Sequence, residues 1–149
     1  MEATKIPLEE VSPMTKRLAC LLLLLVCLPL AGCKKDAEID ATLSELDKFT
    51  AELVKKVESA PNPSAGVDEA QKFFDSRKAD LTAKMQTLKG VRGYQVSEET
   101  KQKLTSSMLS SAQRVAGLQI KYVGVSMRDP AFKAKLDKLT KDFQALFTA

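Results

Sequence analysis

From Ile39 onward, apolar residues recur at steps of three and four, the spacing that lines one face of a helix. Ile39, Leu43, Leu46, Leu53 and Val57 form the first stripe, with Thr50 filling its gap. Asp36 or Asp40 is placed to cap this helix, and Glu52 with Lys56 makes an ordered i,i+4 pair outside it. Pro61-Asn62-Pro63-Ser64-Ala65-Gly66 ends it, because a proline inside a helix loses a hydrogen bond and clashes with the preceding turn. A second helix is predicted from about Val67 to Lys89, with Ala70, Phe73 or Phe74, Leu81, Met85 and Leu88 inward and Arg77 interrupting the stripe. Gly90 then stands where a left-handed cap residue is expected.

Ser97 followed by Glu98 and Glu99 predicts the cap and acidic first turn of a third helix. Its stripe runs Leu104, Met108, Ser111, Val115, Leu118, Tyr122 and Val125, a 3.5-residue repeat typical of helices crossing at a shallow angle. Leu118-Gln119-Ile120-Lys121-Tyr122 also alternates as a strand would, but no second strand is visible to pair with it, so helix is expected. Met127-Arg128-Asp129 is a tight connection, and Asp129-Pro130 sets a capping carboxylate before a proline at the first helical position. Phe132, Leu136, Leu139, Phe143 and Leu146 make the last stripe, with Asp137 and Lys141 paired outside it. Lys133, Lys135, Lys138 and Lys141 read as a solvated face. The expectation is an all-α fold, a small antiparallel bundle of three to four helices in residues 40–149.

Composition narrows what such a bundle can do. Residues 1–33 contain three cations (Lys5, Lys16, Arg17) and three anions (Glu2, Glu9, Glu10), so the net charge of +4 belongs wholly to the rest. Spread over several helix faces, that charge is too mild to argue for nucleic acid. The chain has no His and no Trp, and its three cysteines end at Cys33. The helical part therefore has no internal disulfide, no thiolate or imidazole metal site and no Cys or His for catalysis. Ser106, Ser107, Ser110 and Ser111 lack a Ser-x-x-Lys partner, and no phosphate-cradling loop is present. The remaining carboxylates fall at caps, first turns or ion-pair positions. The expectation is a non-enzyme with no cofactor and no metal.

Ahead of the bundle stands one long apolar run. Lys16 and Arg17 precede Leu18 to Leu30, an uncharged stretch that holds Pro29, and Ala31 and Gly32 lead to Cys33. A spanning helix needs roughly 20 apolar residues, more than this run supplies before Lys34, Lys35 and Asp36. The three-part layout is that of an export signal. Leu30-Ala31-Gly32-Cys33 resembles the lipobox of bacterial lipoproteins: an aliphatic residue, two small residues and the cysteine that is lipidated. The resemblance covers Met14 to Cys33. It implies diacylglyceryl transfer to the Cys33 sulfur, cleavage between Gly32 and Cys33, and acylation of the new amino terminus. An ordinary secretory signal or a retained anchor are the alternatives.

On this reading, residues 14–32 are the signal peptide and 33–39 are the lipidated cysteine with a short tether. Glu2, Glu9 and Glu10 fit poorly ahead of a signal, so residues 1–13 are expected to be a misassigned extension, with Met14 as the start. Lys34 after the cysteine, by the same resemblance, implies the outer membrane facing the periplasm, or the outer face of the plasma membrane in a one-membrane cell. The partners expected are the membrane, through lipid on Cys33, and an envelope protein. A candidate contact face is Ser110, Gly117 and Gly124, seven apart, together with Phe73 and Phe74. The alternative is a carrier or sensor of a small apolar ligand, suggested by Met85, Met108 and the Phe residues.

Overall fold

The computed structural model describes residues 30–91 and 96–148, with side chains from Lys35 onward. The elements are α1 (Leu30–Ser59), α2 (Pro63–Gly90), α3 (Glu98–Lys121), the single turn α4 (Val123–Ser126) and α5 (Pro130–Thr148). No strand occurs among the described residues, so the fold is all-α. Residues 1–29, which hold most of the export-signal reading, and residues 92–95 lie outside the described residues.

The apolar stripes are the core. Ile39, Leu43, Leu46, Leu53 and Val57 of α1 are all buried, and so are Phe132, Leu136, Leu139, Phe143 and Leu146 of α5. Thr50 is buried too, its hydroxyl donating to the Leu46 carbonyl at 2.8 Å. Phe49, absent from the expected stripe, is buried beside it. Of the adjacent phenylalanines, Phe74 is the core residue. The region 118–125 is helical, broken at Tyr122 between α3 and α4.

Three helix boundaries differ from expectation. The backbone of α1 is already helical at Leu30, so residues 34–39 belong to this helix. Asp36 and Asp40 are then interior, and Asp36 Oδ1 accepts a hydrogen bond from Ser97 N–H at 3.1 Å instead of capping its own helix. α2 begins at Pro63 rather than Val67. Asn62 caps it, accepting from Ser64 N–H at 2.8 Å, and Pro63 costs nothing at a position whose N–H has no helical partner. Gly90 is the last helical residue, followed by an extended Val91, and no described glycine has a positive φ. Asp129 behaves as expected, accepting from Phe132 N–H at 2.9 Å. Asp137 pairs with Lys133 rather than Lys141 and also accepts from Gln119 Nε2 at 3.0 Å.

Packing is between α1 and α2, α1 and α3, α2 and α5, and α3 and α5, which closes a ring of four helices. Glu45 accepts from Arg77 at 2.7 Å and Lys84 at 2.6 Å, across an antiparallel α1–α2 hairpin. α1 and α3 run parallel. Asp36 meets Ser97 at one end, and Lys121 donates to Glu58 at 2.7 Å at the other. α2 and α5 are likewise parallel, with Lys135 on Asp68 at 2.6 Å and Gln71 on Asp142 at 3.0 Å. The expected antiparallel neighbours hold within each hairpin but not between them. The 91–97 connection instead joins helices on a diagonal.

The α1–α2 turn is tight. A Cβ on Gly66 would fall 2.8 Å from Ala60 Cβ and the Val57 carbonyl and 2.9 Å from the Lys56 carbonyl. Two of these three neighbours are backbone and cannot yield. Gly66→Ala is therefore expected to destabilise the bundle by about 1–3 kcal/mol. Gly117 has nothing within 4 Å of such a Cβ, so Gly117→Ala should stabilise by up to about 1 kcal/mol through helix propensity. Denaturant unfolding of the two variants should move the midpoint in opposite directions.

Candidate functional site

Two uncharged seams run along α3 and on through α4 to Met127. The inner seam packs into the bundle through Ser111, Val115 and Leu118, all buried, with Leu104, Met108 and Tyr122 half-buried. The outer seam is Gln102, Ser106, Leu109, Gln113, Ala116, Ile120, Val123 and Met127, again in alternating steps of four and three. None of these eight residues is charged, in a chain that is 28% charged. All but half-buried Ala116 are exposed. Leu109 is 57% exposed, Ile120 79%, Val123 55% and Met127 82%. With Val125, these are the exposed large apolar side chains of the described residues, and they all lie on α3, α4 or the residue after it.

Ser110, Gly117 and Gly124 flank this seam one position on, so the small-residue face expected from the sequence sits at its edge. Both glycines have open space where a Cβ would be, and neither has a positive φ. Each costs helix stability of about 1 kcal/mol against Ala with no packing or conformational return inside the chain. Phe73 and Phe74 do not join this face. Phe74 is core, and Phe73 stacks on Phe49 at 5.0 Å with Lys56 Nζ 5.0 Å from its ring centre. Their helix, α2, lies diagonally across from α3. The outer seam itself was not picked out from sequence, although its 3.5-residue repeat was there to read.

Between α1 and α3 runs a polar cleft of about 390 Å³, lined by Asp40, Ser44, Asp47, Ser106, Ser107 and Ser110, among others. Ser107 Oγ and Asp47 Oδ1 are buried there without hydrogen-bond partners, and Arg114 reaches to 3.5 Å from that same carboxylate oxygen. At the end of the bundle near the start of α1 lies a smaller cavity of about 220 Å³, walled by Ile39, Leu88, Val91, Val96 and Leu104. Met85 is buried in the same apolar cluster, with Met108 packed against it. Among the described residues, no three His, Cys, Asp or Glu side chains gather to hold a metal ion. No described helix is long and apolar enough to cross a membrane.

The electrostatics are those of ion-paired helix surfaces. Lys84 is held above its ordinary pKa by hydrogen bonds to Glu45 and Asp80, and Lys103 by Glu99 with Asp40. Glu58 raises Lys121 and Asp142 raises Lys138 in the same way. Asp142 is lowered, first by the hydrogen bond from Lys138 and then by that from Gln71, against some desolvation. Every displaced group moves away from neutrality and deeper into its charged form. The lysines at 133, 135 and 138 are paired with Asp137, Asp68 and Asp142, so that face is not a free cationic patch.

No protein family, curated protein or solved structure matches this chain. The class that the geometry defines is a four-helix bundle with one uncharged helix face turned outward.

The Asp142 shift sets a pH dependence. Its folded pKa lies below the unfolded value, so its contribution is complete above the ordinary carboxylate range and is lost as pH falls through the folded pKa. Thermal midpoints recorded from pH 6 down to about 2 should fall on the acid side, and Asp142→Asn should flatten part of that fall.

Proposed function

We propose that this chain is an envelope lipoprotein, lipidated at Cys33 and non-enzymatic, whose bundle is a protein-interaction module presenting the outer face of α3. The observation that carries the interaction reading is the eight-position uncharged seam with Leu109, Ile120, Val123 and Met127 exposed along it. Scattered exposed apolar residues need no explanation, but their concentration on α3 and the short helix that follows it does. The lipobox resemblance of Leu30-Ala31-Gly32-Cys33 supports the anchor. On that reading the protein faces the periplasm from the outer membrane, or stands on the outer face of a single plasma membrane. Two or three acyl chains make such an anchor stable where one holds only marginally.

The helical start of α1 shapes the presentation. Cys33 lies six residues before buried Ile39, about 9 Å along a helix. The bundle therefore sits close against the bilayer. α3 begins at this same end, where Asp36 holds Ser97, and carries its exposed apolar residues away from it.

A second reading, a carrier of a small apolar ligand, is favoured by the cavity beside Ile39, Leu88 and Leu104. Its 220 Å³ exceeds the roughly 150 Å³ that suffices for benzene in an apolar protein cavity. Native mass spectrometry of the protein extracted from cells would show a bound small molecule if this were its role.

Replacing Cys33 with Ser is expected to leave an uncleaved precursor or a form released from the membrane fraction. Normal maturation and membrane retention of that variant would defeat the anchor. For the interaction, a photo-crosslinking residue at position 120 should give adducts in intact cells, and the same residue at Lys72 on the charged face of α2 should not. Monomer alone from position 120 would defeat the module.

A further inference from the structure

We infer that the apolar cavity at the anchored end of the bundle takes the tail of an acyl chain carried by Cys33. This deepens the anchor reading above and rests on it. The main core is enclosed by α1, α2, α3 and α5 together. A second apolar cluster, Ile39, Leu43, Met85 and Leu88, lies toward the end where Asp36 meets Ser97. Among the described residues α5 adds only Phe147 to it. Three helices thus stand around this cluster where four close the main core, and a cavity of about 220 Å³ is left between them.

The lining selects an aliphatic occupant with no polar head. Its wall is Ile39, Leu88, Val91, Val96 and Leu104, joined by Thr100 and Lys101. Both polar residues are already engaged within the chain. The Thr100 hydroxyl is buried and accepts from Ser97 at 3.0 Å, and Lys101 is paired with Glu98. Val91, Val96 and Leu104 are only half-buried, so a tail seated among them takes apolar wall out of water. The tail itself leaves one apolar medium for another, and no hydrophobic penalty opposes the move. Roughly 150 Å³ suffices for benzene, so the cavity takes the end of a chain and not a whole lipid.

Reach picks the chain on Cys33 over other lipids. Cys33 stands six residues before Ile39 on α1, about 9 Å along the helix. Its place on α1 is three residues before Asp36 and seven before Asp40, the side that meets α3, since those carboxylates reach Ser97 and Lys103. An acyl chain crosses one leaflet, roughly 15 Å of a hydrocarbon core about 30 Å thick. It therefore spans the distance with its last carbons to spare. A covalent tether this short gives the tail a high effective concentration at the cavity. The other chains on Cys33 stay in the bilayer and keep the anchor, for which two suffice.

The test feeds cells expressing the full chain a fatty acid with a diazirine near its methyl end. Membranes are irradiated, and the monomer band is digested for mass spectrometry. The expected product is a Cys33 peptide joined through its acyl chain to a peptide holding Leu88 to Val91 or Val96 to Leu104. Val96→Trp, which sets a ring in the cavity, is expected to lose that product while the circular dichroism and the label on Cys33 stay unchanged. Leu104→Phe gives the same reading should Val96→Trp fail to fold. The inference is overturned if labelled Cys33 joins only phospholipid, if the wall is labelled only by lipid not attached to Cys33, or if a folded cavity-filling variant keeps the product. Each of these leaves the anchor standing. Absence of any label on Cys33 instead removes the anchor reading and this inference together.

Discussion

The centre of the bundle is a stack of phenylalanines drawn from three helices. Phe49 of α1 lies 6.1 Å from Phe74 of α2 and 6.4 Å from Phe143 of α5, and Phe74 and Phe143 are themselves 6.4 Å apart. Rings of this size dominate the apolar area a small domain can bury. They tie α1, α2 and α5 together and set the spacing between them. α3 adds no ring to this cluster. Its buried residues are Thr100, Ser111, Val115 and Leu118, and its aromatic contact is Tyr122 on Phe132 at the far end. Of the four long helices α3 is thus the one least consumed by the core, and with α4 it has apolar side chains left over.

That imbalance gives the functional reading its physical basis. A helix fully occupied by its own bundle turns charge outward, as α2 and α5 do through Arg77, Lys84, Lys135 and Lys138. α3 keeps its charges on its flanks, where Lys103, Arg114 and Lys121 reach back to Asp40, Asp47 and Glu58 of α1. These pairs are exposed and each is worth little in stability. Their effect is to draw charge toward α1 and leave the outer seam neutral. The displaced titratable groups, Lys84, Lys103, Lys121, Lys138 and Asp142, are driven further into their charged forms by ion pairing.

Much of this was legible in the residues. The stripes of α1 and α5 and the Asp129-Pro130 start came through because helical periodicity and capping are local. The boundaries around Leu30 and Pro63 did not. Asp36 reads as a cap on composition, yet its carboxylate is used by Ser97, sixty-one residues away. Pro61-Asn62-Pro63 reads as a terminator, although Pro63 also opens the next helix. Phe73 and Phe74 could not be separated from sequence, because one residue of rotation decides which ring enters the core. The outer seam was half visible: Ser110, Gly117 and Gly124 mark its edge, while Leu109, Ile120 and Met127 look like ordinary helix residues until their exposure is known.

By itself the sequence determined the helices, their inward faces, and the lack of His and of any cysteine beyond Cys33 for catalysis or metal binding. These follow from residue identity and from a repeat that needs no partner to be recognised. The tertiary structure decided that α3 lies beside α1 and runs parallel to it, that α2 stands on the diagonal, and that the second seam of α3 is left to solvent. Those outcomes depend on which stripe wins the space around the phenylalanine stack, a competition among helices far apart in the chain.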